Sequence, residues 1–283
     1  MDLQIGLQLY SVRNELKRDV LATLENVAAI GYKNLELVTT VTDQGLFFGE
    51  KTPASEFRKY LDRLDLRAVG AHVMLQEGMN LDRVIDSLTE VGASSLVIPF
   101  ALFDSRQSVM SFCKQLNQFA EVCKKKSIQL YYHNHFQEFQ KFDDRMVMDF
   151  MLENTDRDLV MFEFDTYWAI RGGQDPIAWI RKFGKRCDLL HQKDLPAAVR
   201  PVNLFDLSIQ NQDMKLMDMF KTISPEQFTE IGAGIIDIPE IIEAGRTHGN
   251  ARYIIVEQDM TSKTELDSIT ISYKNLIRLL NGV

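Results

Sequence analysis

A chain of 283 residues with 45% hydrophobic and 25% charged side chains has the make-up of a globular protein able to bury a sizeable core, which excludes disorder and fibre. Its formal charge of -8 and pI near 5.2 argue against a surface built to neutralise phosphates, so no nucleic-acid partner is expected. Cys113, Cys123 and Cys187 are odd in number and lack CxxC spacing, so they read as reduced, buried thiols rather than as a disulfide framework or a thiolate metal site.

The N-terminus, Met1-Asp2-Leu3-Gln4-Ile5, has no basic segment leading into an apolar run, and no stretch is apolar enough to span a membrane. No membrane contact and a cytoplasmic location are the expectations. From there, short runs rich in β-branched and aromatic residues alternate with longer segments whose apolar residues recur at helical spacing. Candidate strands begin near Gln4, Asn34, Arg67, Ser94, Ile128, Leu159, Asp188 and Arg252. Successive starts lie 30, 33, 27, 34, 31, 29 and 64 residues apart, and a strand with its crossover helix needs roughly 30. Helical segments such as DVLATLENVAAIG, SEFRKYLDRLD and LDRVIDSLTEVG fill the intervals. Eight near-equal units predict closure into a single (β/α)8 barrel domain over residues 1-283. The long last interval predicts a loop at about 195-235 over the barrel mouth, where such loops cover active sites.

Four of the five histidines, His72, His133, His135 and His191, fall at or near the C-terminal ends of predicted strands three, five and seven. A closed barrel gathers those ends around one mouth. His248 precedes strand eight and should lie at the opposite rim. Residues two apart on a strand share a face. Tyr131, His133 and His135 therefore go together, as do Met161, Glu163 and Asp165, then Leu189, His191 and Lys193, then Ile255, Glu257 and Asp259. The inward set at comparable depth is His133, Asp165, His191 and Glu257, a mixed nitrogen and oxygen donor set suited to a divalent metal such as Mn, Fe, Co, Ni or Zn rather than calcium. Singly, each has another use: Asp165 suits a cap for the next turn, and Glu257 a pair with Lys193. Four converging from successive strands favour a metal, because buried charges are costly unless paired or coordinated.

Candidates for proton transfer are Glu257, His135, Lys193 and Glu36, with Lys193 also able to polarise a carbonyl oxygen. Candidates for contact with a substrate are His72, Asp194, Trp168, whose indole can stack on a sugar face, and Glu138, which also suits a partner orienting His133 or His135. Gly232 and Gly234 in IGAGIID suit a turn into a helix, with a phosphate cradle as the alternative.

The runs GLQLYSVR, GYKNLEL, YYHNHFQEF, FEFDTYWA, LLHQKD, IGAGIIDIPEII and IIVEQD, in this order, resemble the xylose isomerase-like TIM barrel superfamily of sugar phosphate isomerase/epimerase-like proteins. The resemblance implies one divalent metal ion (Mn, Mg, Co, Zn or Fe) held by acidic and histidine residues of strands five to eight, with Asp165, His191 and Glu257 on ligand positions. His133 stands where many epimerases carry a glutamate; the HNH run and the EQD ending are similar to the inosose dehydratase-like branch. The implied activity is isomerisation or epimerisation of a sugar, keto-sugar or sugar phosphate by proton abstraction to a metal-stabilised enediolate, acting on a small-molecule sugar or polyol. The alternatives are a dehydratase or lyase on an inosose or 3-keto sugar, and a metal-free sugar-binding protein on the same fold. The apurinic endonuclease branch is disfavoured by acidity and the shortage of histidine. Exposed barrel surfaces often pair, so a homo-oligomer stays open.

Overall fold

The computed structural model describes residues 3-282. Eight parallel strands, β1 (Gln4–Gln8), β2 (Asn34–Thr42), β3 (Arg67–His72), β4 (Ser95–Ile98), β5 (Gln129–His133), β6 (Val160–Asp165), β7 (Cys187–Gln192) and β8 (Tyr253–Val256), pair in sequence order, and β8 closes on β1. Closure leaves no free edge and brings all eight C-terminal ends to one mouth.

The crossover helices start and stop where local chemistry demands. Asp19 accepts from the Ala22 N–H to cap Val20–Ile30; Asn80 accepts from Arg83 to cap Leu81–Val91, which Gly92 ends at φ 82°. A side-chain oxygen satisfies an otherwise orphaned N–H in the first turn, and glycine takes the left-handed stop without steric cost. No helix among the described residues is long and apolar enough to cross a membrane.

Most of the core lies between strands and helices, but Val97, Tyr131 and Leu189, flanked by Met161 and Tyr253, form a separate apolar layer inside the barrel. That layer is the floor of the site. Two residues further along the same strands come His133, Glu163 and His191, so the alternation that points the apolar layer inward also points these polar groups inward.

Two irregularities adjust the aim. The pairing register shifts between Leu35 and Glu36 against β3 and between Phe162 and Glu163 against β7, as bulges do when they re-aim a side chain. Opposite Glu36 stands Gly70, where a Cβ would come within 3.3 Å of Glu36 Oε1 and 2.8 Å of Ser95 Oγ.

Between β7 and β8 the chain forms the helices Asp206–Gln210 and Leu216–Lys221 and a turn over Pro225–Gln227. Its Leu195, Val199, Leu204, Met219 and Phe228 pack on Phe136, Tyr167 and Trp168 as a second apolar cluster. Polar pins hold this excursion down: Arg171 donates to Pro201 O and Gln227 Oε1, and Tyr167 Oη to Gln227 O.

Candidate active site

The expected set His133, Asp165, His191 and Glu257 is brought together: one ligand atom from each lies within 4.8 Å of the others. A second set, His72, His133, Glu163 and His191, meets the same limit and shares its two imidazoles with the first. His248 stands apart, exposed at the end of the helix Ile238–Thr247.

The two sets differ in what already occupies them. In the first, the buried Lys193 ammonium lies 2.5 Å from Asp165 Oδ2, 2.6 Å from Glu257 Oε2 and 3.8 Å from Asp259 Oδ1. Asp165 Oδ1 caps the following helix by accepting from the Trp168 N–H at 2.7 Å. In the second, His72 Nε2 lies 2.9 Å from Glu36 Oε2 and 3.0 Å from Glu163 Oε2, while His191 Nε2 lies 2.7 Å from Glu36 Oε2 and 3.3 Å from Glu163 Oε1. Gln8 Nε2 donates to Glu36 Oε2 at 2.7 Å. Three buried atoms of this second group, Glu36 Oε1, Glu163 Oε1 and His133 Nδ1, have no hydrogen-bond partner. Buried polar atoms are rarely left so. The donor set and its orphaned atoms fit a divalent cation.

Five carboxylates (Glu36, Glu163, Asp165, Glu257 and Asp259) share this space with one permanent cation, Lys193. The imbalance sets the titration of the neighbours. Burial works against charge on His72, yet Glu36 and Glu163 outweigh it and push the imidazole up to about 10. Burial also opposes the Lys193 charge, and Asp165, Asp259 and Glu257 hold its pKa well above the usual range. Burial pushes His135 down to about 3, with Lys193 adding to the fall and Glu257 opposing it, and keeps it neutral. Burial pushes Asp259 up to about 7, with Glu257 and Asp165 adding to the rise and Lys193 opposing it.

Above this floor opens a cavity of about 440 Å³, with His72, His133, His135, Glu257 and Asp259 at its base and aromatic walls from Phe100, Trp168, Phe220 and Phe228. The last two come from the excursion after β7, which therefore covers the mouth. Trp168 faces the cavity, and its buried indole N–H lacks a partner. No Lys or Arg lines it among the described residues.

Several candidates do other work. Asp194 is buried and accepts from the backbone N–H groups of Leu195, Gly232, Gly234 and Ile236. Those contacts also correct the phosphate-cradle alternative, because the N–H groups a phosphate would use are taken, and a Cβ at Gly234 would sit 2.2 Å from Asp194 Oδ1. Glu138 accepts from Tyr132 Oη at 2.6 Å and from the His135 N–H at 2.8 Å, holding the turn after β5. Glu36 lies fully buried against His72, at 2.9 Å from its Nε2. Lys193 is equally enclosed and acts on Asp165 and Glu257.

Glu163, Asp259 and Gln8 join the site without a spacing that marks them as site residues. Face alternation placed Glu163 beside Asp165 and Asp259 beside Glu257, which was the available signal. It reports the side of a strand, not depth.

Burial pushes Glu138 from the ordinary glutamate range up to about 7. The folded state thus holds a proton that the unfolded chain has released, and stability is lost as pH rises from ~4.3 through 7, by about 4 kcal/mol. Glu138→Gln can offer its oxygen to the His135 N–H and its amide to the Tyr132 hydroxyl. Its stability relative to the parent should therefore rise between pH 5 and 7.5 in urea unfolding; parallel pH curves would refute the assignment.

Residues 24–271 match the family model for the xylose isomerase-like TIM barrel. Among curated proteins, the chain is similar to an inosose dehydratase of Clostridium beijerinckii, 26% identical over 144 residues (51% of this chain, 45% of that one). It is also similar to one of Halalkalibacterium halodurans, 24% identical over 187 residues (61% and 58%). The chain thus spans about half the length of such relatives. Among solved structures, a sugar phosphate isomerase/epimerase of Parabacteroides distasonis superposes with a TM-score of 0.75 at 24% identity (98% of this chain, 94% of that one). The IolI protein with a bound zinc atom gives 0.70 at 10% (99% of each). These structural likenesses show the fold. With most of its length covered by that model, the chain belongs to the xylose isomerase-like TIM barrel family.

Proposed function

We propose that this protein is a divalent-metal-dependent isomerase or epimerase of an uncharged keto-sugar. The observation that carries the reading is the juxtaposition, at the base of one cavity, of a cation-ready cluster of imidazoles and carboxylates with two carboxyl groups, Glu257 and Asp259, facing the same space. His133 and His191, common to both possible ligand sets, would hold the ion. Bound there, a divalent cation supplies Lewis-acid polarisation of a carbonyl.

The chain's own groups move the proton. Glu257 engages Lys193 and His191 through a single oxygen, Oε2, which leaves Oε1 out of those contacts and the carboxylate fixed as a base. Asp259, 17% exposed at its side chain, stands at the same strand end to return a proton to the neighbouring carbon or the opposite face. Neutral His135 and the Trp168 indole N–H can bind hydroxyls, and the aromatic walls exclude water and stack on the ring. The lack of a lining cation supports an unphosphorylated substrate, since phosphate recognition draws on Arg or Lys.

A second reading, dehydration of an inosose or 3-keto sugar, is favoured by the curated relatives named inosose dehydratase. It uses the same proton abstraction with a β-hydroxyl departing as water. Ketoses, inososes and keto-glycosides incubated with the metal-supplemented protein in D2O separate the readings by mass spectrometry. One deuterium gained at the α-carbon without loss of water is expected. Loss of water would assign the dehydratase, and binding without exchange or product would assign a sugar-binding protein.

A further inference from the structure

We infer that the protein carries a second small-molecule site at the opposite, N-terminal end of the barrel, and that it takes a small uncharged polyol. A cavity of about 400 Å³ opens there, within the range of ligand sites and far beyond the ~30 Å³ of one water. It shares no lining residue with the cavity at the mouth, from which the apolar layer of Val97, Tyr131 and Leu189 divides it. The inference therefore stands apart from the function proposed for the mouth.

Two bulges build the cavity. Across β6 and β7, Phe162 pairs with Cys187 and Glu163 with Leu189, so Asp188 is an extra residue with no partner on β6. Across β2 and β3, Leu35 pairs with Ala68 and Glu36 with Gly70, which leaves Val69 extra in the same way. A bulge takes a side chain out of the strand's alternation. Strict alternation would send Asp188 to the face opposite Leu189, yet both line the cavity, as does Val69.

The polar groups suit hydroxyls. Asp188, 5% exposed, holds Arg252 Nη2 at 2.8 Å through Oδ2, while its buried Oδ1 has no hydrogen-bond partner. Enclosed carboxylate oxygens are rarely left so. Arg252 spends Nη2 on Asp188 and on Tyr131 Oη at 3.2 Å, which leaves its Nε and Nη1 out of those contacts. Gln129 commits Nε2 to Leu130 O and Leu159 O and keeps Oε1 out of them, and Asn250 adds an exposed amide at the rim. Donors and acceptors thus line one space, and a hydroxyl, which both donates and accepts, satisfies either kind. Charge points the same way. The Asp188 and Arg252 charges cancel at 2.8 Å, so an anion is repelled by the carboxylate and a cation by the guanidinium, with no net field to hold either.

Met161 lines this cavity and Met74 and Met260 the one at the mouth, so methyl resonances read the two separately. The full chain, ¹³C-labelled at its methionine methyl groups, is titrated with D-sorbitol and, separately, with L-serine as a small zwitterion. Sorbitol should shift the Met161 methyl saturably, with a Kd on the order of 1 mM. Asp188→Asn should weaken that Kd by about 10- to 100-fold, the range for a lost hydrogen bond to a charged group. Asn250→Ala, at an exposed residue outside the core, should weaken it by about 2- to 10-fold. Shifts confined to Met74 and Met260, or a Met161 shift that grows without saturating, would overturn the site. A Met161 response to serine alone would overturn the ligand class, and wild-type affinity in both variants would overturn the residue assignment.

Discussion

Lys193→Met is expected to cost about 3–5 kcal/mol of folding stability, the range measured when one partner of a buried ion pair is removed. Lys193 is fully buried, and its ammonium is the nearest cation to Asp165 and Glu257, at 2.5 and 2.6 Å. Methionine fills a similar volume, so the loss reports charge rather than packing. Adding Asp165→Asn should restore part of the stability, because the second change removes a carboxylate that the first has stranded; contacting groups are non-additive in this way. Urea unfolding of the parent, both single variants and the double variant reads the coupling. A loss below about 1 kcal/mol in Lys193→Met, or strict additivity, would mean that the carboxylates are neutralised by something other than this lysine.

Asp259→Asn should lower kcat by about 10²- to 10⁴-fold with little change in KM, the range for removing a positioned acid or base. Glu257→Gln should do the same and also loosen His191, whose Nδ1 it holds. Asp259 is the cleaner probe: it faces the cavity, belongs to neither candidate ligand set, and its substitution leaves the pairs of Lys193 with Asp165 and Glu257 in place. Exchange of the substrate α-proton with solvent, followed by NMR, should persist in Asp259→Asn while turnover falls, because Glu257 still abstracts the proton, and should be lost in Glu257→Gln. Unaltered exchange in Glu257→Gln would move the abstraction to another cavity-facing base, such as His135, which is neutral across the working range.

How far these assignments were legible in the sequence depends on which physical rule was in play. Strand period and interval length gave the barrel, because eight similar units have one closed arrangement, and alternation gave the inward face of each strand. Depth was not legible. Glu163 shares its face with Asp165, but its position between the apolar Met161 layer and the mouth depends on a register shift at Phe162/Glu163 that no local pattern announces. Glu36 is aimed by a similar shift beside Gly70. The other uses open to Asp165, a helix cap, and to Glu257, a pair with Lys193, both occur, and they occur inside the same cluster as the metal candidates. Asp194 and Glu138 carry the residue types of binding groups, yet their oxygens serve backbone N–H groups and a tyrosine, partners that only the folded turns bring near. The excursion after β7 was legible in place but not in its helices or its aromatic contribution to the cavity.

Elemental analysis of the wild-type protein, purified without chelator and supplemented in turn with Mn, Co and Zn before desalting, bears most directly on the cluster of imidazoles and carboxylates beneath the cavity. One equivalent of a divalent ion retained per chain, and lost with His191→Ala but not with His248→Ala, is the expected result. A wild type that retains no ion under any of the three conditions would contradict a metal-dependent site.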